Sequence, residues 1–527
     1  MRTLRLPYAD TRRFSPVVVD YLAGNGGVDE LVVHRPDLAG IQEAARQRAF
    51  PEGHRAALTD ALQRQYHGIK VHQAVADNLL ALTDPRSLTV TTGHQLCLFT
   101  GPLYLPFKIL NVVRLARRLT TVLDRPVVPI FWMATEDHDR DEIDHVWLEG
   151  RKVHWPGAAG GPVGRLTTEG LDALVQQACD LLGGAAAAEV RQLLRDCYRP
   201  GLTLARSTCL LVNALFGRFG VVCLDGDHPA LKQLFAPVMV EELLNQVTHR
   251  TVTYANEKIR DRYAEQAHVR EINLFHLRAG ARSRIVQEDG HFRVLDGGPV
   301  FSIDELMEEV RQRPESFSPN VLLRPVYQET ILPNIAYVGG GGELAYWLQL
   351  RWLFQALGVP MPVVLLRTSA AFITEKHLGQ WQAAGLRVED LFAPLDEVKA
   401  MAAARHATFP TDVDRERAAL DAVYKGLEQR AAQADPTLRA AVEGRKVKAM
   451  KGLDALAKAL VRAAKREQDV LMRRIDGVHA TLFPGGALQE RRDNIMPLLA
   501  ARGMGLLDTL LDQLDPLDPR FTLLVEA

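Results

Sequence analysis

Three stretches concentrate the residues able to do chemistry. "TEDHDRDEIDH" (Thr135–His145) places Glu136, Asp137, His138 and Asp139 directly after an apolar run. A carboxylate pair there can hold Mg2+ or a substrate ammonium, and a histidine moves protons near neutral pH. Asp141, Glu142, Asp144 and His145 read instead as a solvated helix start, where acids favour the positive end of the dipole. "TTGHQLCLFTGPLY" (Thr91–Tyr104) offers Gly93, His94 and Gln95, then Gly101 and Pro102 opening a helix that carries Tyr104 and Lys108 in its first two turns. Such a helix N-terminus presents free N–H groups to an anion. In "YVGGGGELAYW" (Tyr337–Trp347), Gly339 and Gly340 permit backbone contact with ribose or phosphate. Tyr337 flanks them, and Glu343 can take a hydroxyl or an amine. The run is neither a dinucleotide fingerprint nor a P-loop.

Three further stretches are weaker. Arg367 and Ser369 in "LLRTSAAFI" are placed to neutralise phosphate charge, or to sit on the surface. Gln328 in "LRPVYQETILPN" approaches the glycine run. Gln489, Arg491 and Asn494 in "FPGGALQERRDN" either bind an anion or cap a helix. The five cysteines are sparse, with no C-x-x-C. They read as core residues of a protein in a reducing compartment and give no metal set.

These residues need a scaffold that brings them to one rim. "SLTVTT", "VVPIFWMA", "FGVVCLD", "IAYVGG" and "MPVVLLR" are short apolar runs ending in polar or glycine residues. Such runs suit strands buried on both faces. The helical "PLYLPFKILNVVRLARRL" between the first two makes a βαβ unit, hence a parallel sheet and an α/β fold. Open sheets of this kind bind ligands at the carboxyl ends of their strands. Residues 1–85 read mostly helical. A mostly helical stretch at about 147–215 and a hairpin-bearing one at about 265–320, with Asp289-Gly290 at the turn, read as insertions.

The core therefore spans 1–390. Residues 391–482 shift to Ala, Arg, Lys, Glu and Leu and predict an antiparallel coiled-coil hairpin. Thr411 is read as its first cap, with Pro436 in the first turn of the second helix. Leu420, Val423, Leu427, Ala431, Leu453, Leu456, Leu460 and Ala463 mark the seam. Residues 483–527 return to the core, with "FTLLVE" as an edge strand. Lys plus Arg is 63 and Asp plus Glu is 64, and that balance argues against a nucleic-acid partner. No apolar run is long enough for a membrane span, and the N-terminus lacks the core of a signal peptide, so the cytoplasm is expected.

Four motifs in order, "TTGHQLCLFTGPLY", "PIFWMATEDHDRDEIDHV", "FSPNVLLRPVYQETILPNIAYVGGGGELAYW" and "LFPGGALQERRDN", resemble the BshC family, the cysteine-adding enzymes of bacillithiol biosynthesis. The resemblance implies a Rossmann-type core like that of class I aminoacyl-tRNA synthetases, two connecting-peptide insertions and a coiled coil used for homodimerisation. It implies a ligase that joins cysteine to the amine of glucosaminyl-malate, using ATP with ADP as a product. "TGHQLCLFTGPLY" and "RTSAAFI" stand where class I enzymes carry their HIGH and KMSKS signatures, and neither matches the letters. The family's nucleotide pocket near the coiled coil brings in Gln489, Arg491 and Asn494. On that reading Gly101 and Gly340 hold phosphates with Arg367 and Lys108. Glu136 or Asp137 holds the cysteine ammonium or Mg2+, and His94 or His138 takes the proton from the attacking amine. The alternative is a nucleotide-binding scaffold or regulatory protein that dimerises through its coiled coil.

Overall fold

A computed structural model describes residues 1–157 and 160–527. Five strands form the central sheet: β1 (Leu88–His94), β2 (Val127–Met133), β3 (Val222–Asp225), β4 (Asn334–Gly339) and β5 (Val363–Leu366). Every pairing is parallel and the spatial order is β5-β4-β1-β2-β3. The chain starts in the middle, winds outward to β3, then returns to the other side of β1. This is a doubly wound sheet with its topological switch between β1 and β4.

The apolar runs form strands because both faces are covered. All seven residues of β2 and all six of β4 are buried. Helix α1 (Tyr104–Leu123) crosses from β1 to β2, and its Val112, Leu115 and Leu119 pack with Val90, Ile335, Val338 and Leu365 on one face. A larger core cluster takes in Phe131, Trp132 and Tyr337.

Both expected insertions have structure of their own. After β2 come a hairpin, His145–Leu148 with Arg151–His154, and helices Leu171–Leu181, Ala187–Cys197 and Leu204–Phe216. After β3 come two helices and a five-stranded antiparallel sheet. Asp289 and Gly290 form its tight turn, both with positive φ, as a two-residue Asp-Gly hairpin demands.

Helices Asp414–Ala434 and Leu438–Glu467 form the hairpin. The ion pairs Arg417–Asp454 and Lys446–Asp421 set them antiparallel. Three details differ from the expectation. The first helix starts at Asp414 rather than from a Thr411 cap, with Asp414 and Glu416 in its first turn. Pro436 precedes the second helix, whose entry is held by Asp435 accepting from the Thr437 N–H at 2.8 Å. Val423, Leu427 and Leu456 of the expected seam stay exposed within one chain.

The tail strand is also placed differently. Arg520–Glu526 is the middle of a separate three-stranded sheet, antiparallel to Arg2–Pro7 and parallel to Ala370–Thr374. Five of its seven residues are buried, too many for an edge. Arg2–Pro7 is a strand in a region read as helical, because its pattern is completed only by the distant tail. No described helix is long and apolar enough to cross a membrane.

Candidate active site

The carboxyl ends of β1, β2, β4 and β5 open onto one cavity of about 890 Å³. The reversal of strand order leaves this crevice unfilled. Gly93, His94, Gln95, Gly101, Pro102, Tyr104 and Lys108 line it from the β1 side. Glu136 and Asp137 reach it from β2, Tyr337, Gly340 and Glu343 from β4, Arg367 from β5, and Arg491 from the C-terminal segment. His138, Asp139, Gln328, Gly339, Ser369, Gln489 and Asn494 do not line it.

A buried ion pair closes the floor between β1 and β4. Lys108, one turn into α1, donates to Glu343 and, at 3.0 Å, to the Gly93 carbonyl. Glu343 also accepts from the Tyr337 hydroxyl at 2.5 Å and from the Gly340 N–H at 2.8 Å. Burial pushes the Glu343 carboxyl up. Lys108, Tyr337 and Gly340 outweigh it and hold the group at about 2. Burial, with Lys108 nearby, pushes His94 down to about 3, so its imidazole is neutral. His94 packs edge-on against Tyr104.

The acids of the β2 junction are already neutralised, which corrects their reading as free ligands for Mg2+ or an ammonium. Lys232 pairs with Glu136 and also donates to the Phe317 carbonyl. Burial is the largest influence on Glu136 and pushes its carboxyl up. Arg282 sits 3.2 Å from Asp137, and Gln95 donates to the same carboxylate. Burial opposes ionisation of Asp137, but His138, Arg282 and Gln95 hold it well below the usual carboxylate range. His138 and Asp139 are exposed, and His138 Nδ1 is 2.9 Å from Arg282. Among the described residues no three His, Cys, Asp or Glu side chains gather as a metal ligand set.

The expected phosphate cradle is also rearranged. The Gly101 N–H donates to the Leu98 carbonyl at 2.8 Å and the Gly340 N–H to Glu343, so neither is free for phosphate. Phe99, Thr100 and Gly101 all have positive φ, a strained path for the first two. Asn494 holds it, donating to the Phe99 and Gly101 carbonyls at 2.7 and 2.5 Å. Arg367 forms a bidentate pair with buried Glu490, both contacts at 2.7 Å, and reaches Ser369 Oγ at 3.1 Å. Gln489 accepts from the Phe372 N–H at 2.7 Å. Gln328 donates to Glu329 and accepts from Arg324. Ser369, Gln489, Asn494 and Gln328 therefore hold the walls in place from behind, and Gly339 accepts the Arg367 N–H.

Two polar atoms in the wall are buried without partners: Gln95 Oε1, an acceptor, and Arg367 Nε, a donor. Buried polar groups are nearly always satisfied, which sets these two atoms beside the cavity apart from the rest of its wall. A Cβ placed on Gly340 would lie 3.9 Å from Arg367 Nε. The same corner holds Gly341 and Gly342, first-turn residues of helix α2 (Gly341–Leu348), whose N–H groups the helix does not use.

Sequence reasoning missed Lys232, Arg282 and Arg492, and gave Arg324 no role in the cavity. Arg282 comes from the inserted antiparallel sheet and Lys232 from the helix after β3. Arg492 stacks 3.8 Å above Trp147. No local pattern marks them. His145 was set aside with the solvated residues. Asp141–Asp144 is a turn, not a helix start, and His145 opens a strand on the cavity wall.

A doubly wound sheet with buried carboxylates, their cations and open N–H groups at its switch point defines an α/β protein of the Rossmann-like class, extended by a coiled coil. Residues 1–368 match the family described as "Bacillithiol biosynthesis BshC, N-terminal Rossmann-like domain", and residues 370–526 match "Bacillithiol biosynthesis BshC, C-terminal coiled-coil domain". The chain belongs to the BshC family. Relatives carrying the name "Putative cysteine ligase BshC" include those of Flavobacterium johnsoniae and Flavobacterium psychrophilum. Both are 36% identical, over 99% and 100% of this chain and all of theirs. That of Cytophaga hutchinsonii is 36% identical over 96% of each chain. The resemblance read from the four motifs is confirmed.

Proposed function

We propose that this protein is an ATP-dependent ligase that forms an amide between the carboxyl of cysteine and the amine of glucosaminyl-malate. Its relatives' name supplies the cysteine ligation. The observation that carries the reading is the polarity of the crevice. The orphaned Arg367 Nε–H and the N–H groups of Gly341 and Gly342 make a donor corner for phosphate or carboxylate oxygens. The orphaned Gln95 Oε1 makes an acceptor for an ammonium. An amino acid and a triphosphate need those two poles.

ATP activates the cysteine carboxyl: a carboxylate oxygen bonds to a phosphorus of ATP and displaces ADP or pyrophosphate. The nucleophilic amine then attacks the cysteine carbonyl carbon, and the phosphate-bearing leaving group departs with its electron pair. Glu136 and Asp137 do not fit as Mg2+ ligands, since Lys232 and Arg282 already occupy them. The exposed Val423, Leu427 and Leu456 support a second copy on the coiled coil. Five free cysteines suit the cytoplasm.

Incubation of the protein with ATP, cysteine and glucosaminyl-malate is expected to yield the amide by mass spectrometry. Nucleotide binding without any product would leave the scaffold reading in its place. Gln95→Ala is expected to raise the KM for cysteine by about tenfold to a hundredfold, the worth of one hydrogen bond to a charged group. An unchanged KM would move the ammonium elsewhere.

A further inference from the structure

The ligase reading leaves one step without an agent, removal of the proton from the attacking amine. The cavity wall holds three histidines, His94, His145 and His268. His94 has the Tyr104 ring and Cys97 Sγ, 3.9 Å away, as its neighbours and no carboxylate to orient it. Burial also leaves it a weak base. His268 is exposed and lies 3.9 Å from Glu265. His138 does not line the cavity, and its Nδ1 faces the Arg282 guanidinium at 2.9 Å and Asp137 Oδ1 at 3.4 Å.

His145 differs from all of these. Its Nδ1 is 2.9 Å from Asp144 Oδ1, and Asp144 is pinned at both ends of its backbone. Its N–H donates to the Arg140 carbonyl at 3.0 Å, and its carbonyl accepts from the Trp155 N–H at 2.7 Å. The other carboxylate oxygen is 3.2 Å from His154 Nε2, across the hairpin where His145 pairs with His154. The Asp144 side chain is only 13% exposed. The segment before it is tied to the β1 junction by Cys97 Sγ donating to the Glu142 carbonyl at 3.3 Å. A carboxylate on one imidazole nitrogen fixes the tautomer and leaves the other nitrogen as an acceptor. This is the geometry of a general base with its orienting acid.

We propose that His145 is the general base for amide formation and Asp144 its positioning residue; this rests on the ligase reading. The amine of the acceptor enters unprotonated. Its lone pair forms the N–C bond, the C–O bond to the phosphate-bearing leaving group breaks, and His145 Nε2 takes the proton released from nitrogen. The charged and titratable groups around the dyad are Asp144 and His154, in contact, with Asp141, Glu142 and Arg492 on the same wall and Asp493 bridged to Trp147.

The test separates activation from transfer in the full-length protein. Hydroxylamine intercepts an activated cysteinyl group without needing a base and gives the hydroxamate. His145→Gln is expected to form the hydroxamate at the wild-type rate and to lose about a hundredfold or more in amide formation with glucosaminyl-malate. Asp144→Asn is expected to follow it and Asp144→Glu to recover part of the loss. Unchanged amide synthesis overturns the proposal, and so does a hydroxamate rate that falls equally. Imidazole is expected to restore amide formation by His145→Ala, which a merely structural role would not allow. A wild-type protein that makes neither amide nor hydroxamate overturns the ligase reading itself, and the dyad's role falls with it.

Discussion

Glu343→Ala is expected to abolish turnover and to cost about 3–5 kcal/mol of stability, because it leaves the Lys108 ammonium buried without its counter-charge. The expectation follows from how much converges on this carboxylate. Lys108 from α1, Tyr337 from β4 and the Gly340 N–H at the start of α2 all end on it. Its loss frees the two sides of the switch-point crevice from each other. Urea unfolding checks the stability and the amide assay checks the activity. Lys108→Met with Glu343→Leu removes both charges together and is expected to recover most of the stability and none of the activity. A single variant as stable and active as wild type would show that the pair is incidental.

The same carboxylate sets a pH dependence. The folded-state pKa of Glu343 is about 2, below its ordinary 4.5. A depressed carboxyl contributes stability that is present above the ordinary value and is lost as pH falls from about 4.5 towards 2. Glu343→Gln is expected to flatten that part of the stability profile, measured by thermal unfolding across the window.

The second large effect lies at Glu490. Glu490→Ala strands the Arg367 guanidinium, which is 4% exposed and bound bidentately. A cost of about 3–5 kcal/mol is expected here too, with loss of activity, since the Arg367 Nε–H is then no longer held towards Gly340. Glu490 also accepts the Ala370 N–H at 2.9 Å, so the start of the strand Ala370–Thr374 loosens with it. Limited proteolysis around residue 370 is expected to quicken. An unchanged melting temperature and cleavage pattern would show that the pair contributes little.

The sheet was legible because its strands are continuous apolar runs whose ends carry glycine or charge. The rim residues followed from the same signal: once β1, β2 and β4 are parallel neighbours, His94, Glu136 and Gly340 must share an edge. What stayed hidden was ionisation. "TEDHD" reads as free acid because Lys232 and Arg282 reach it from segments about a hundred or more residues away in sequence, and nothing local records that approach. Arg367, Gln489 and Asn494 read as anion binders for the same reason. Their types suit a ligand, and Glu490 beside them in sequence does not reveal which way it points. His145 was lost to a neighbourhood of acids that looked solvated. It opens a strand directly after the turn that carries them.

The strand Arg520–Glu526, seated between Arg2–Pro7 and Ala370–Thr374, has a consequence for biogenesis. Arg2–Pro7 leaves the ribosome long before Arg520–Glu526, the strand its backbone pairs with. Its backbone amides must wait, solvated or guarded by a chaperone, while the intervening chain is made. The small sheet therefore closes only after residues 520–526 are made, and a premature stop shortly before residue 520 would leave Arg2–Pro7 permanently without a mate.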